Sequence, residues 1–177
     1  ESAIEFSKQL GWPVIKDLEV DVVYNWLKVL KIGITQVARS RIERVLIAFL
    51  NALHGNISIN SILWLSHALE AFYDTPSIEV VKHFRNRAFK WLSLPEHNKK
   101  AIKKEFDNFY SIRSGYAHGT FEITHPLCNE VMDKDVAVQM FKIYHANSFG
   151  LATLIASIQM LIENNCYELN FEEIIHC

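Results

Sequence analysis

Arg113 and His118 are the side chains whose types and spacing suggest chemistry. Along the helix predicted here the apolar stripe reads Ile102, Phe106, Phe109, then Arg113, then Tyr116. A guanidinium thus takes a slot that the helical period assigns to an inward-facing residue. An unpaired buried charge is costly, so Arg113 must be paired, line a cleft or subunit interface, or pack its stem while its head snorkels to water. Five residues on, His118 sits between the small residues Ala117 and Gly119. At roughly 3.6 residues per turn, positions five apart differ by about 140° around a regular helix. The two heads therefore converge on a phosphate-sized site only if the helix frays or ends near Gly115 or Gly119.

The elements that must position these residues are read from periodicity, which is helical nearly throughout. Ile42, Val45, Leu46, Phe49 and Leu53 predict an amphipathic helix over roughly Thr35 to Leu53, with Arg39, Arg41, Glu43 and Arg44 largely outside its stripe. Ser58 or Asn60 caps a helix running to about Tyr73, apolar almost all round through Ile62, Leu63, Trp64, Leu65, Leu69 and Phe72, as suits the centre of a bundle. Asp74-Thr75-Pro76-Ser77 punctuates the chain before a helix from about Ile78 to Leu92. Pro95 starts the helix that carries Arg113, predicted from about Glu96 to the region of Ser114. Thr120 to Pro126 reads as loop or one short extended segment. Asp133 or Asp135 opens a long apolar helix to about Asn164, with a bend expected at Gly150; Val20 to Leu30 forms another helix, and the two ends add short ones.

A chain of 177 residues supports one compact domain, here 1–177 with a core of about 35–164, and no second core is expected. Half the residues are hydrophobic and 12% aromatic, the composition of a folded globular chain. Cys128, Cys166 and Cys177 suggest neither a disulfide framework nor a cysteine zinc site, which fits a reducing cytoplasm. The most apolar stretch, Phe149 to Ile162, is too short and too polar to cross a bilayer. Since the chain opens on Glu1 rather than methionine, there is room for a further domain in a longer protein. Net charge is only −2, yet between residues 82 and 113 nine cations face the three acids Glu96, Glu105 and Asp107, and from 120 onward only Lys134 and Lys142 face eight acids. That basic stretch either attracts phosphate or forms a solvated helix face. His54, His83, His97, His125, His145 and His176 lie at no metal-ligand spacing and are assigned no chemistry.

The run Phe109-Tyr-Ser-Ile-Arg113-Ser-Gly-Tyr-Ala-His118-Gly119 resembles the R-x4-6-H signature of HEPN domains. Its Tyr-x-x-Arg-Ser-x-x-x-His-Gly form is similar to the Apea-like branch in particular, as are Trp64-Leu-Ser-His-Ala-Leu-Glu70-Ala-Phe72 and Phe84-Arg-Asn-Arg87-Ala-Phe-Lys-Trp-Leu92. The resemblance spans about residues 58–119. It implies an all-α, HEPN-like bundle of four to five core helices with extra peripheral helices, pairing as a homodimer with the active cleft at the interface. It also implies metal-independent cleavage of RNA in stress response or antiviral defence, with no cofactor and no membrane partner. In that scheme the RNA 2′-hydroxyl attacks the adjacent phosphorus. His118, titrating near neutral pH, serves as general base or acid, and Arg113 holds the phosphate and stabilises the developing charge.

Position 114 is Ser where many active members have Asn, Asp or His, although Ser114 can still hydrogen-bond. A catalytically inactive HEPN-type module for RNA binding or dimerisation is therefore the alternative. Glu70 lies on a polar strip with Leu63, Ser66, His67 and Asp74, and is either a solvent-facing carboxylate or a partner for Arg113 or His118. Tyr116 is either a core or dimer aromatic or a stacking platform for a base. Lys99, Lys100, Lys103 and Lys104 either steer RNA or solvate the first turns of their helix.

Overall fold

The computed structural model describes residues 2–34, 36–129 and 131–171. Among the described residues there are seven α-helices and no strand: α1 (Ala3–Leu10), α2 (Val20–Leu30), α3 (Arg41–Leu53), α4 (Ile59–Phe72), α5 (Val80–Trp91), α6 (Lys99–Ala117) and α7 (Lys134–Glu163), with a short 3₁₀ turn over Glu96–Asn98 before α6. The all-helical expectation holds, and the 120–126 segment is loop.

Helix starts follow side-chain caps. α3 begins at Arg41 rather than near Thr35, which itself lies outside the described residues. The Ser40 side chain accepts from the Glu43 amide while Glu43 Oε2 accepts from the Ser40 amide at 3.0 Å. This reciprocal capping box fixes the first turn there, because it satisfies amides that have no partner inside the helix. α4 starts after Ser58, whose amide donates to Ser61 Oγ at 3.1 Å. α7 starts after Asp133, whose carboxylate accepts from the amides of Asp135 and Val136.

α4 takes the central position and packs against α3, α5, α6 and α7. Ile62, Leu65, Ala68, Leu69 and Phe72 are buried. Trp64 is an exception to the all-round apolar reading: it remains 42% exposed on the surface. α7 is long and apolar enough to cross a bilayer by composition, but 72% of its most apolar window is buried in the bundle. It runs unbroken through Gly150, where the sequence suggests a bend. The glycine permits close approach. A Cβ there would lie 2.6 Å from Phe109 Cε2 and 3.3 Å from Leu65 Cδ1, so α4, α6 and α7 meet at this point with no room for a side chain.

Phe106 fixes the position of α6. Its ring lies 4.8 Å from Phe84 on α5, 4.9 Å from Phe149 on α7 and 5.7 Å from Trp12 ahead of α2. Aromatic pairs at such separations add about 0.5–1.5 kcal/mol each beyond the area they bury. α6 is therefore held from three sides, and with it the residues at its C-terminal end.

Candidate active site

Ile102, Phe106 and Phe109 are fully buried, and Arg113 continues their stripe where α6 crosses α4. Its guanidinium is paired: Nη2 lies 3.4 Å from Glu70 Oε1, with 36% of the arginine side chain and 23% of the glutamate side chain exposed. Of the two readings of Glu70, partner and solvent-facing carboxylate, the geometry is that of the partner. Ser66, on the same strip, is buried with its hydroxyl bonded to the Leu63 carbonyl, while His67 is exposed. Part of the arginine side chain is also exposed, so pairing and partial exposure coexist.

Beside this pair lies Tyr110, three residues before Arg113 and 5% exposed. Burial above all, and then the nearby Glu70 carboxylate, push its phenol well above the usual range for tyrosine, and the Arg113 charge offsets this only in part. The phenol is neutral at any physiological pH. Its hydroxyl faces Glu70 without completing a hydrogen bond of good geometry, and Glu70 Oε1 is likewise buried without one. The three side chains thus form a close group in which one carboxylate holds the arginine while part of its side chain stays exposed. Tyr110 was not singled out as a site residue from the sequence. The signal was its spacing from Arg113, since residues three apart share a helix face.

His118 ends α6 rather than standing beyond a frayed end. The helix is regular through Gly115 to Ala117, and Gly119 adopts φ +71°. The amides of Gly119 and Thr120 donate to the carbonyls of Tyr116 (3.2 Å) and Gly115 (2.8 Å), a Schellman closure that needs a left-handed residue at the glycine. Ser114 contributes its carbonyl, which accepts from the His118 amide at 3.0 Å. The break therefore falls after the histidine, and Arg113 and His118 keep the divergence of about 140° of a regular helix. Arg113 faces α4, while the exposed His118 lies on the strip with Ser111 and Lys104 at seven-residue spacing. Among the described residues the His118 side chain makes no hydrogen bond or ion pair. Tyr116 is half-buried and enters no aromatic pair among the described residues.

The four lysines at the start of α6 do not form one patch. Lys99, paired with Glu96 at 3.0 Å, and Lys103 line a groove of about 390 Å³ shared with Arg85 and Lys90 on α5. Lys104 lines a separate cleft against α7, and Lys100 is exposed. Helical geometry spreads consecutive cations around the axis, so a basic run in sequence becomes two basic surfaces. In the second cleft His145 Nε2 lies 2.9 Å from Glu105 Oε2. No sequence spacing marked this histidine, because its partner is 40 residues away on another helix.

No protein-family model, no curated protein and no solved structure matches this chain.

Proposed function

We propose that this chain is a metal-independent RNA endonuclease of the HEPN type, acting in stress response or antiviral defence. The observation that carries the reading is Arg113: a partly exposed cation anchored by a partly buried carboxylate near the end of a helix, five residues before an exposed histidine. Such an anchored fork suits bidentate binding of phosphate. His118 takes the proton of the RNA 2′-hydroxyl as its oxygen attacks the adjacent phosphorus. The P–O5′ bond breaks, the departing oxygen takes up a proton, and the products are a 2′,3′-cyclic phosphate and a 5′-hydroxyl. Arg113 stabilises the charge on the non-bridging oxygens. Ser114 and Tyr116 are supporting residues at the edge of this centre.

The divergence of Arg113 and His118 gives the homodimer a purpose: two copies of α6 facing each other place an arginine and a histidine on the same phosphate. The same divergence, together with Ser114, favours the alternative of a catalytically inactive RNA-binding or dimerisation module if two copies do not bring an arginine and a histidine onto one phosphate. Purified protein with labelled RNA in excess chelator separates the two. The enzyme cuts, and both Arg113→Ala and His118→Ala stop it; the module cuts nothing over a broad RNA set. Light scattering at micromolar concentration is expected to give twice the 20.5 kDa chain mass, and a monomer contradicts the shared cleft.

A further inference from the structure

We propose that the cleft between α6 and α7 binds one nucleotide unit, with the base stacked on Phe141 and the phosphate held between Lys104 and Lys142. The cleft measures about 640 Å³, within the roughly 300–1,000 Å³ typical of small-ligand sites. It lies on the other side of α6 from the Arg113–Glu70 pair.

Phe141 on α7 is 64% exposed, and its ring is tilted 34° to that of His145 at 5.8 Å. Together they form an aromatic shelf with an open face. Every nucleobase presents a π-face to such a shelf, so stacking there is tolerant of sequence. Phe121, from the loop after Gly119, lines the cleft too. Its place is set by the Schellman closure, because its amide donates to the Gly115 carbonyl at 3.1 Å.

The charges suit a phosphate. Lys104 and Lys142 line the cleft from its two helices. Among the described residues Lys104 has no ion-pair partner, and Lys142 donates only to the neutral Gln139 side chain at 3.3 Å. Among the described lining residues the one carboxylate is Glu105, which lies 2.9 Å from His145 Nε2 and accepts from the Asn108 amide at 3.5 Å. Two lysines thus face one carboxylate, a net positive lining that attracts an anion.

A strand leaving the cleft along α6 follows the strip Lys104, Ser111, His118, whose positions drift by only about 20° per seven residues. At 1.5 Å per residue, His118 lies roughly 10 Å along the axis from Ser111. That direction rests on the ribonuclease reading; occupancy of the cleft does not.

The test titrates the full chain in excess chelator at fixed ionic strength with a fluorescein-labelled oligoadenylate RNA octamer, followed by anisotropy, and adds 5′-AMP as competitor. The octamer is expected to bind, at least about tenfold more weakly to Phe141→Ala and to Phe141→Leu, a loss equivalent to about 1.4 kcal/mol. Because Phe141 is largely exposed, neither variant is expected to unfold, and Phe141→Leu retains the apolar bulk while removing the stack. Lys142→Gln is expected to lower the slope of log affinity against log salt by about one. Competition by 5′-AMP identifies the cleft as a site for a free nucleotide; its absence, with binding still dependent on Phe141, identifies a strand. Affinities of Phe141→Ala and Lys142→Gln within twofold of the original chain overturn the proposal. So does failure of both probes to bind, or a Phe141→Ala variant that loses only self-association. Binding through Phe141 without cleavage rejects the ribonuclease and keeps the cleft, whereas cleavage with Phe141→Ala affinity unchanged does the reverse.

Discussion

α6 carries an ion pair on each of two sides, and the pairs differ in kind. Towards α4, Arg113 meets Glu70 at 3.4 Å with Glu70 Oε1 buried and lacking a hydrogen bond. Towards α7, Glu105 meets His145 at 2.9 Å at the side of a cleft, with the glutamate side chain 15% exposed. The guanidinium is charged at every accessible pH, whereas the imidazole is charged only when protonated. The first pair therefore fixes a permanent cation with part of its side chain exposed. The second holds a carboxylate that two lysines lining the same cleft outnumber. One helix thus carries two sites of local positive charge built by different means, an anchored arginine on one side and an excess of lysines on the other.

The largest effects that sharpen this contrast are on activity. Single-turnover cleavage in chelator is expected to fall about 10²–10⁴-fold in His118→Ala, as loss of a general acid–base group does, with no change in urea midpoint because the side chain is exposed. Arg113→Ala is expected to cost about 10²–10³-fold, and Arg113→Lys to rescue little, since a point charge lacks the fork.

Stability comes next. Arg113→Ala leaves the Glu70 carboxylate partly buried and unpaired, with an expected loss of about 1–3 kcal/mol by urea denaturation. Adding Glu70→Gln is expected to restore part of it, and the double-mutant cycle reads the coupling. Strict additivity of the two substitutions would show that the pair holds nothing in place.

Tyr110→Phe has a smaller effect with a defined pH signature. The buried phenol stays protonated in the folded chain, while the unfolded phenol releases its proton near pH 10. The unfolded state then binds fewer protons, so this contribution is complete below about pH 10 and is lost as pH rises further. Urea midpoints are expected to fall less between about pH 9 and about pH 11 in Tyr110→Phe than in the original chain, with Tyr73, also buried and shifted upward by that burial, supplying the slope that remains. The smallest effect is that of Glu105→Gln. The amide can still hydrogen-bond the His145 ring, so roughly 0–1 kcal/mol is expected for this partly exposed pair, and a larger loss would mean that the two ion pairs are alike after all.

Local signals were legible in the sequence and distant ones were not. α2 was read to its ends, Val20–Leu30, from its own periodicity. Arg113 was visible because a charge in an apolar stripe is anomalous without reference to any other helix. α3 starts six residues after Thr35, because the capping pair Ser40 and Glu43 decides where the first turn forms. Nothing along α7 itself reveals that Phe109 occupies the space a side chain at Gly150 would need. The Glu105–His145 pair was invisible for the same reason, since each residue reads as an ordinary surface polar until α6 and α7 are placed side by side.

The central claim is that RNA is cut through its own 2′-hydroxyl with Arg113 and His118 in attendance. It is tested most directly by comparing, in excess chelator, an RNA cut by this chain with the same RNA carrying 2′-deoxy sugars at the cut positions. Cleavage of the RNA to a 2′,3′-cyclic phosphate and a 5′-hydroxyl is expected, and none at the deoxy positions. Cleavage at the deoxy positions, or no cleavage of any RNA, contradicts the proposed reaction.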